Sequence, residues 1–302
     1  MSREYIQHAL LQGAHRGAIT AVAIRPGDSR VATASLDGDV CIWEISSQKV
    51  LYAYRGGMPV LALRWDDRGE HRLLCGMDNG YVASLEITAQ DKIEASGFIG
   101  HSHPVDCLDI FDEYIATGAS NEMRVWGWRA RGMFYIHSAE LAEPQVERHS
   151  QRHVVVTSLR WTRGRALGNL LWMGECAYSG SSEHPLIVSG SARADFSEDG
   201  LKMIVSNALT GFDLYAMPSG SLLRAFGQDV GLKRATPVRF IEQDYAIVGG
   251  TTIGEVCIWH RASGRKLQTL LHSGALSISS TYPESFSVLR YLQILESYSL
   301  LM

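Results

Sequence analysis

Four side chains near the start of the chain could do chemistry together: His15, Ser35, Asp37 and Trp43. A hydroxyl, an imidazole and a carboxylate are the parts of a nucleophilic triad, in which the ring takes the hydroxyl proton and the carboxylate orients the ring. With a tryptophan added, the same groups can instead form a buried polar chain. The indole N–H donates to the hydroxyl, and the imidazole links that hydroxyl to the carboxylate. Such a chain is tolerated in a core only when every member is satisfied. Catalysis predicts none of these positions, whereas a repeating frame would predict each of them.

Other candidate groups fall away quickly. His101 and His103 in Gly-His-Ser-His-Pro have no third ligand nearby, which argues against zinc, and His149 and His153 read as solvated loop residues. The chain has no Gly-Lys phosphate loop, no Cys-x-x-Cys, no His-Glu-x-x-His and no Gly-x-Ser-x-Gly. No catalytic residue, metal or cofactor is therefore expected. One basic stretch contrasts with a net charge of −4: Arg148, Arg152, Arg160, Arg163 and Arg165 lie in a segment without an acid. It reads either as an exposed set that protects a sheet edge or as a site for an acidic partner, RNA or anionic lipid headgroups.

The positioning elements are repeats. Nineteen residues separate Ile24 from Trp43, Trp65 from Ser84, Phe196 from Tyr215 and Phe240 from Trp259. The landmarks Trp43, Ser84, Trp126, Tyr215 and Trp259 follow at steps of 41, 42, 89 and 44 residues, the 89 being two steps with one landmark lost. A period of about 40–45 residues ending in Ile/Val-Trp is that of a propeller blade.

The fullest unit, GAHRGAITAVAIRPGDSRVATASLDGDVCIWEI from Gly13 to Ile45, resembles the WD repeat family. The resemblance implies a β-propeller in which His15, Ser35, Asp37 and Trp43 occupy the family's hydrogen-bonded tetrad. Later units decay from that pattern. Gly56, Gly76 and Ser84 stand where His, Ser and Trp would sit in the second, although Asp78 is kept. Gly118 and Ser120 take the Ser and Asp slots in the third, beside His101 and Trp126. Near the end of the chain Thr251 and Trp259 are kept, with Ile253 in the Asp slot. One complete tetrad leaves stability to strand packing.

The strands are legible in an apolar frame shared by first strands: Ile19/Val22/Ile24, Val60/Leu63/Trp65, Val105/Leu108/Ile110 and Val156/Leu159/Trp161. Turn residues follow each. Trp65 and Trp161 are thus expected in the core. Short β-branched third strands such as Asp-Val-Cys-Ile-Trp suit a sheet covered on both faces.

The expected fold is all-β, a seven-bladed propeller formed by residues 1–302 as one domain. The fourth blade is irregular, because counting forward from Trp161 puts its landmark near Gly180 while counting back from Phe196 puts it near Trp172. The last blade starts near Tyr282 and lacks an outer strand. In the family an N-terminal strand commonly completes that blade, and Glu4 to Gly13 would do so here, removing open edges. Six blades with a helical tail, from the spacing of Val288, Leu292, Leu295 and Tyr298, is the alternative.

At 46% hydrophobic, 20% charged and with 29 glycines, the chain can bury a large core with many tight turns. No stretch is long and apolar enough to span a bilayer, and no Asn-x-Ser/Thr sequon occurs. The five cysteines, odd in number and set mostly in apolar strands, read as buried free thiols, which places the chain in cytoplasm or nucleus.

Members of the family resembled here mostly bind proteins or peptides, so a non-enzymatic scaffold is the expected function. Its partner contacts would be the turn positions Arg16, Leu36, Arg55, Met77 and His103, apolar anchors with a cationic rim. A module binding nucleic acid or anionic lipid through residues 148–165 is the alternative, and an enzyme comes third.

Overall fold

Short apolar runs, buried on both faces in the inner and middle strands and separated by tight turns, form short antiparallel strands. The computed structural model describes residues 5–6, 9–25, 27, 29–66, 72–129, 134–141, 155–161, 169–173, 176–179, 186–189, 191–197, 199–207, 209–217, 219–228, 236–251 and 255–271. Among them there is no helix.

Five four-stranded antiparallel sheets follow in chain order. The first holds β1 (Ile19–Ile24), β2 (Arg30–Ser35), β3 (Asp39–Glu44) and β4 (Lys49–Arg55). The second holds β5 (Val60–Trp65), β6 (Arg72–Met77), β7 (Tyr81–Ile87) and β8 (Ile93–Ile99), and the third β9 (Cys107–Phe111), β10 (Tyr114–Ala119), β11 (Glu122–Arg129) and β12 (Phe134–Leu141). Two hairpins come next, β13 (Val155–Arg160) with β14 (Asn169–Met173) and β15 (Cys176–Ser179) with β16 (Leu186–Ser189). The remaining blades are β17 (Ser191–Phe196), β18 (Lys202–Asn207), β19 (Gly211–Ala216) and β20 (Leu222–Gly227), then β21 (Val238–Ile241), β22 (Ala246–Gly250), β23 (Glu255–His260) and β24 (Lys266–Leu271).

The arrangement is a β-propeller. The innermost strands β1, β5, β9, β13, β17 and β21 adjoin in chain order, and all six line one central cavity. The middle strands are buried on both faces, as in Val40-Cys41-Ile42-Trp43 of β3 and Val256-Cys257-Ile258-Trp259 of β23. Trp65 and Trp161 are core residues as expected. Each donates its indole N–H to a carbonyl on the preceding inner strand, Trp65 to Ala23 at 3.0 Å and Trp161 to Asp109 at 3.2 Å.

Seven blades are not what the described residues hold: they form five four-stranded blades and two hairpins. The hairpins occupy the place of the expected irregular fourth blade, and Trp172 lies in β14 opposite Val156 rather than closing a third strand. The expected last blade and the helical-tail alternative fall outside the described residues. The described part of the N-terminal segment is not a strand. Tyr5 is held by the Gln268 side chain of β24, donating its N–H to Oε1 at 2.8 Å and accepting from Nε2 at 2.7 Å. Its ring packs against Ile241, Val248 and Ile258, while Leu11 packs against Ile19, Val22 and Val31 of the first blade. The backbone ladder expected with the last blade lies outside the described residues.

The register explains where the nineteen-residue ruler works. Ile24, Val31 and Trp43 stand abreast, as do Phe196, Met203 and Tyr215, and Phe240, Ile247 and Trp259. In the second blade Trp65 stands abreast of Leu73 and Leu85, so the landmark is Leu85 and not Ser84. The first turn of that blade is one residue longer. Opposite the aromatic landmarks Trp43, Trp126, Tyr215 and Trp259 the outer strand carries an extra residue, a β-bulge that is missing opposite Leu85.

Candidate functional site

The expected tetrad exists, but its hydroxyl is Thr33. Trp43 Nε1 donates to Thr33 Oγ1 at 2.8 Å, and His15 Nε2 lies 2.7 Å from the same oxygen. His15 Nδ1 faces Asp37 Oδ1 at 3.6 Å. A hydroxyl that accepts from Trp43 and donates to Nε2 leaves the ring proton on Nδ1, facing the carboxylate. Ser35, assigned this role from the sequence, accepts from the Asp37 amide at 3.2 Å instead. Thr33 and Ser35 are two apart on one strand and share a face, so the sequence pattern fits both. The position of the indole decides between them.

Asp37 does more than orient the ring. Its Oδ2 accepts from the amides of Arg16 at 2.7 Å and Gly17 at 3.2 Å, and its Oδ1 from that of Asp39 at 2.9 Å. Burial pushes its carboxyl up, but these amides and the Ser35 hydroxyl outweigh burial and bring it down to about 2. The carboxylate thereby pins the 15–17 loop to the 37–39 turn.

A second complete network lies in the third blade, where sequence slots pointed to Gly118 and Ser120. Trp126 Nε1 donates to Thr117 Oγ1 at 2.8 Å, His101 Nε2 lies 2.8 Å from that oxygen, and His101 Nδ1 lies 3.1 Å from Glu122 Oε2. Arg124 braces the carboxylate at 3.2 Å and donates to the Gly100 carbonyl at 2.7 Å. The signal that could have found both networks is a threonine ten or nine residues before the landmark tryptophan. At Trp259 the equivalent seat is Gly249, where a Cβ would meet the Phe212 ring at 2.2 Å. Phe212 and Phe226 pack edge-on against Trp259, at 5.6 and 6.2 Å between centroids, in place of hydrogen bonds.

Neither network is built for nucleophilic attack. The Thr33 and Thr117 hydroxyls are buried between an indole and an imidazole. Among the described residues no group of three or more His, Cys, Asp or Glu could hold a metal. Cys41, Cys75 and Cys257 are buried free thiols and Cys107 is half-buried. Burial pushes the Cys41 thiol up to about 11 and the Cys75 thiol higher still, so neither is poised to react.

The turn face around Asp37 gathers three of the five predicted contact residues. Arg16 and Leu36 flank the carboxylate's loop, with the Leu36 amide bonded to Ala18 at 3.0 Å. Gly56 donates to the Gly38 carbonyl at 3.1 Å, which brings Arg55 and Met58 beside them. Gly38 has φ 84°, and a Cβ there would meet the Met58 amide at 2.7 Å, so only glycine allows this approach. The Arg55 side chain is 83% exposed, its nearest acid being Asp39 at 4.0 Å. Met58, missed in the sequence, is 37% exposed. His103 is exposed one blade on, beside the equivalent turn glycine Gly80.

Met77 does not belong to this face. It is 4% exposed and packs in the core shared by the first two blades, because the last residue of β6 points inward. Arg160 likewise leaves the proposed basic patch: it lies half-buried in the lining of the central cavity. Arg148, Arg152, Arg163 and Arg165 lie outside the described residues.

The family model of the WD domain, G-beta repeat, matches residues 7–44, the stretch that carries the first network. This match and the relatives that follow support a WD repeat family for the chain. It is 29% identical over 111 residues to WD repeat-containing protein 18 of Bos taurus, covering 32% of this chain and 26% of that protein. The Danio rerio protein of that name is 32% identical over 111 residues, covering 33% and 26%, and the human one 26% identical over 127 residues, covering 38% and 29%. The match thus spans little more than a quarter of these relatives' length. No helix among the described residues is long and apolar enough to cross a membrane.

Proposed function

We propose that this WD repeat protein is a non-enzymatic scaffold of the cytoplasm or nucleus, folded as one domain, that binds a protein or peptide partner on the turn face around Asp37. The observation that carries the reading is the exposed Arg16, Arg55 and Met58 together with the half-buried Leu36, held on a fixed frame by the Asp37 carboxylate and the Gly38 contacts. Rigid presentation of an apolar pair beside two cations lowers the ordering cost of binding, and an anchor of this type can dominate an interface. His103 extends the rim. Closure of the ring is part of this reading; its support is that Tyr5 packs on the β21–β24 blade and Leu11 on the first blade.

Affinity capture with crosslinking, repeated with Leu36→Asp and Met58→Asp, tests the proposal. Partner recovery should fall at least tenfold while thermal unfolding stays within a few degrees of the parent. Neutralising Arg148, Arg152, Arg163 and Arg165 should change recovery little. Loss confined to the arginine variant, with nucleic acid or anionic vesicles bound only at low salt, would replace this reading with an anion-binding module.

A further inference from the structure

One position, directly before the first-strand landmark, recurs at the same level of every inner strand. It is Ala23 in β1, Arg64 in β5, Asp109 in β9, Arg160 in β13, Asp195 in β17 and Arg239 in β21. From the second blade onward these seats alternate in charge around the channel. Both carboxylates are buried, at 3% and 2% exposure, and both span seams between blades. Asp109 pairs with Arg64 Nε of the preceding blade at 2.8 Å and accepts the Trp161 amide of the following hairpin at 2.7 Å. Asp195 takes both partners from the following blade, Arg239 Nη1 at 3.0 Å and the Phe240 amide at 3.0 Å.

We propose that this collar is a key that fixes which blade sits beside which. The blades share a shape, so apolar packing alone discriminates poorly between a correct and an incorrect neighbour. Charge discriminates well. Each acidic seat is flanked by a basic seat on both sides, so exchanging adjacent blades, or pairing blades from two chains out of order, sets Arg against Arg or Asp against Asp at seams where the carboxylates are buried. A buried carboxylate facing the wrong neighbour loses its cation, whereas buried ion pairs as such add little net stability. The collar therefore acts on assembly more than on the strength of the finished ring.

Refolding from urea at fixed protein concentration, with monomer recovery read by size-exclusion chromatography, tests this. Arg239→Glu should lower monomer recovery at least twofold, with Arg239→Lys recovering most of it. Lys202→Glu, the same charge change beside the more exposed Asp199 at 3.6 Å, should have no effect. Should Arg239→Glu not fold at all, Asp195→Asn decides, since its side-chain oxygen still accepts the Phe240 amide and only the charge is gone. Recovery equal to the parent for Asp195→Asn, or equal losses for Arg239→Glu and Lys202→Glu, would overturn the proposal.

Discussion

Replacing Thr33 by valine removes one oxygen and almost no volume, which makes it the sharpest probe of the first network. The deletion leaves Trp43 Nε1, in a side chain 3% exposed, without its 2.8 Å acceptor, and His15 Nε2 without its 2.7 Å partner. Each orphaned buried group costs about 1–3 kcal/mol, so Thr33→Val should destabilise by about 2–6 kcal/mol. At about 2–4 °C per kcal/mol for a large domain, the midpoint should drop by about 4–24 °C. Ser35→Ala loses the bond from the Asp37 amide and the hydroxyl's support of the Asp37 carboxylate, and should cost about 1 kcal/mol. Urea and thermal unfolding of both variants measure the difference. Adding Trp43→Phe to Thr33→Val removes the stranded donor, so the pair should fall well short of the summed single losses. If Ser35→Ala costs as much as Thr33→Val, or if the cycle is additive, the network drawn here is wrong.

The folded-state carboxyl of Asp37, near 2, lies below its unfolded value of about 3.9, so its contribution is present above pH 4 and is lost as pH falls toward 2. Discounted for solvent screening, that contribution is about 1–2 kcal/mol, and Asp37→Asn should flatten the acid limb of a stability-versus-pH profile between pH 4 and 2. An unchanged acid limb would refute the assignment. Gly249→Ala drives a methyl into the Phe212 ring at 2.2 Å and should cost about 1–3 kcal/mol in urea unfolding, whereas Gly227→Ala, in open space, should cost under about 1 kcal/mol.

The repeat was legible because three blades space their strands alike: seven residues from Ile24 to Val31 and twelve more to Trp43, and the same for Phe196 and Phe240. A change in the first turn defeats the ruler. The longer turn after Trp65 moves the second landmark to Leu85, and the short Asp112-Glu113 turn brings Ile110 and Ile115 opposite each other. The network hydroxyl was misassigned for a different reason, since strand periodicity places Thr33 and Ser35 on one face and only the reach of the indole separates them. Met77 looked like a turn residue by its neighbours Asp78 and Asn79, yet it ends a strand whose six residues are all buried. The charge collar was readable in the same alignment of first strands but is meaningless until the strands are known to share a channel.

The missing bulge in the second blade makes its rim unlike the others. An extra residue in β4, β12, β20 and β24 coils those outer strands and breaks the row of amides and carbonyls they present to solvent. Along β8, by contrast, pairing with β7 runs unbroken from Ile93 to Ile99, and the strand ends in an isoleucine 78% exposed. A straight, evenly spaced border is what a stray extended chain needs as a template. The cost of a leucine in place of an aromatic landmark is thus felt not in the core but at the circumference, where β8 is the place at which crowded or partly unfolded copies of this protein would begin to aggregate.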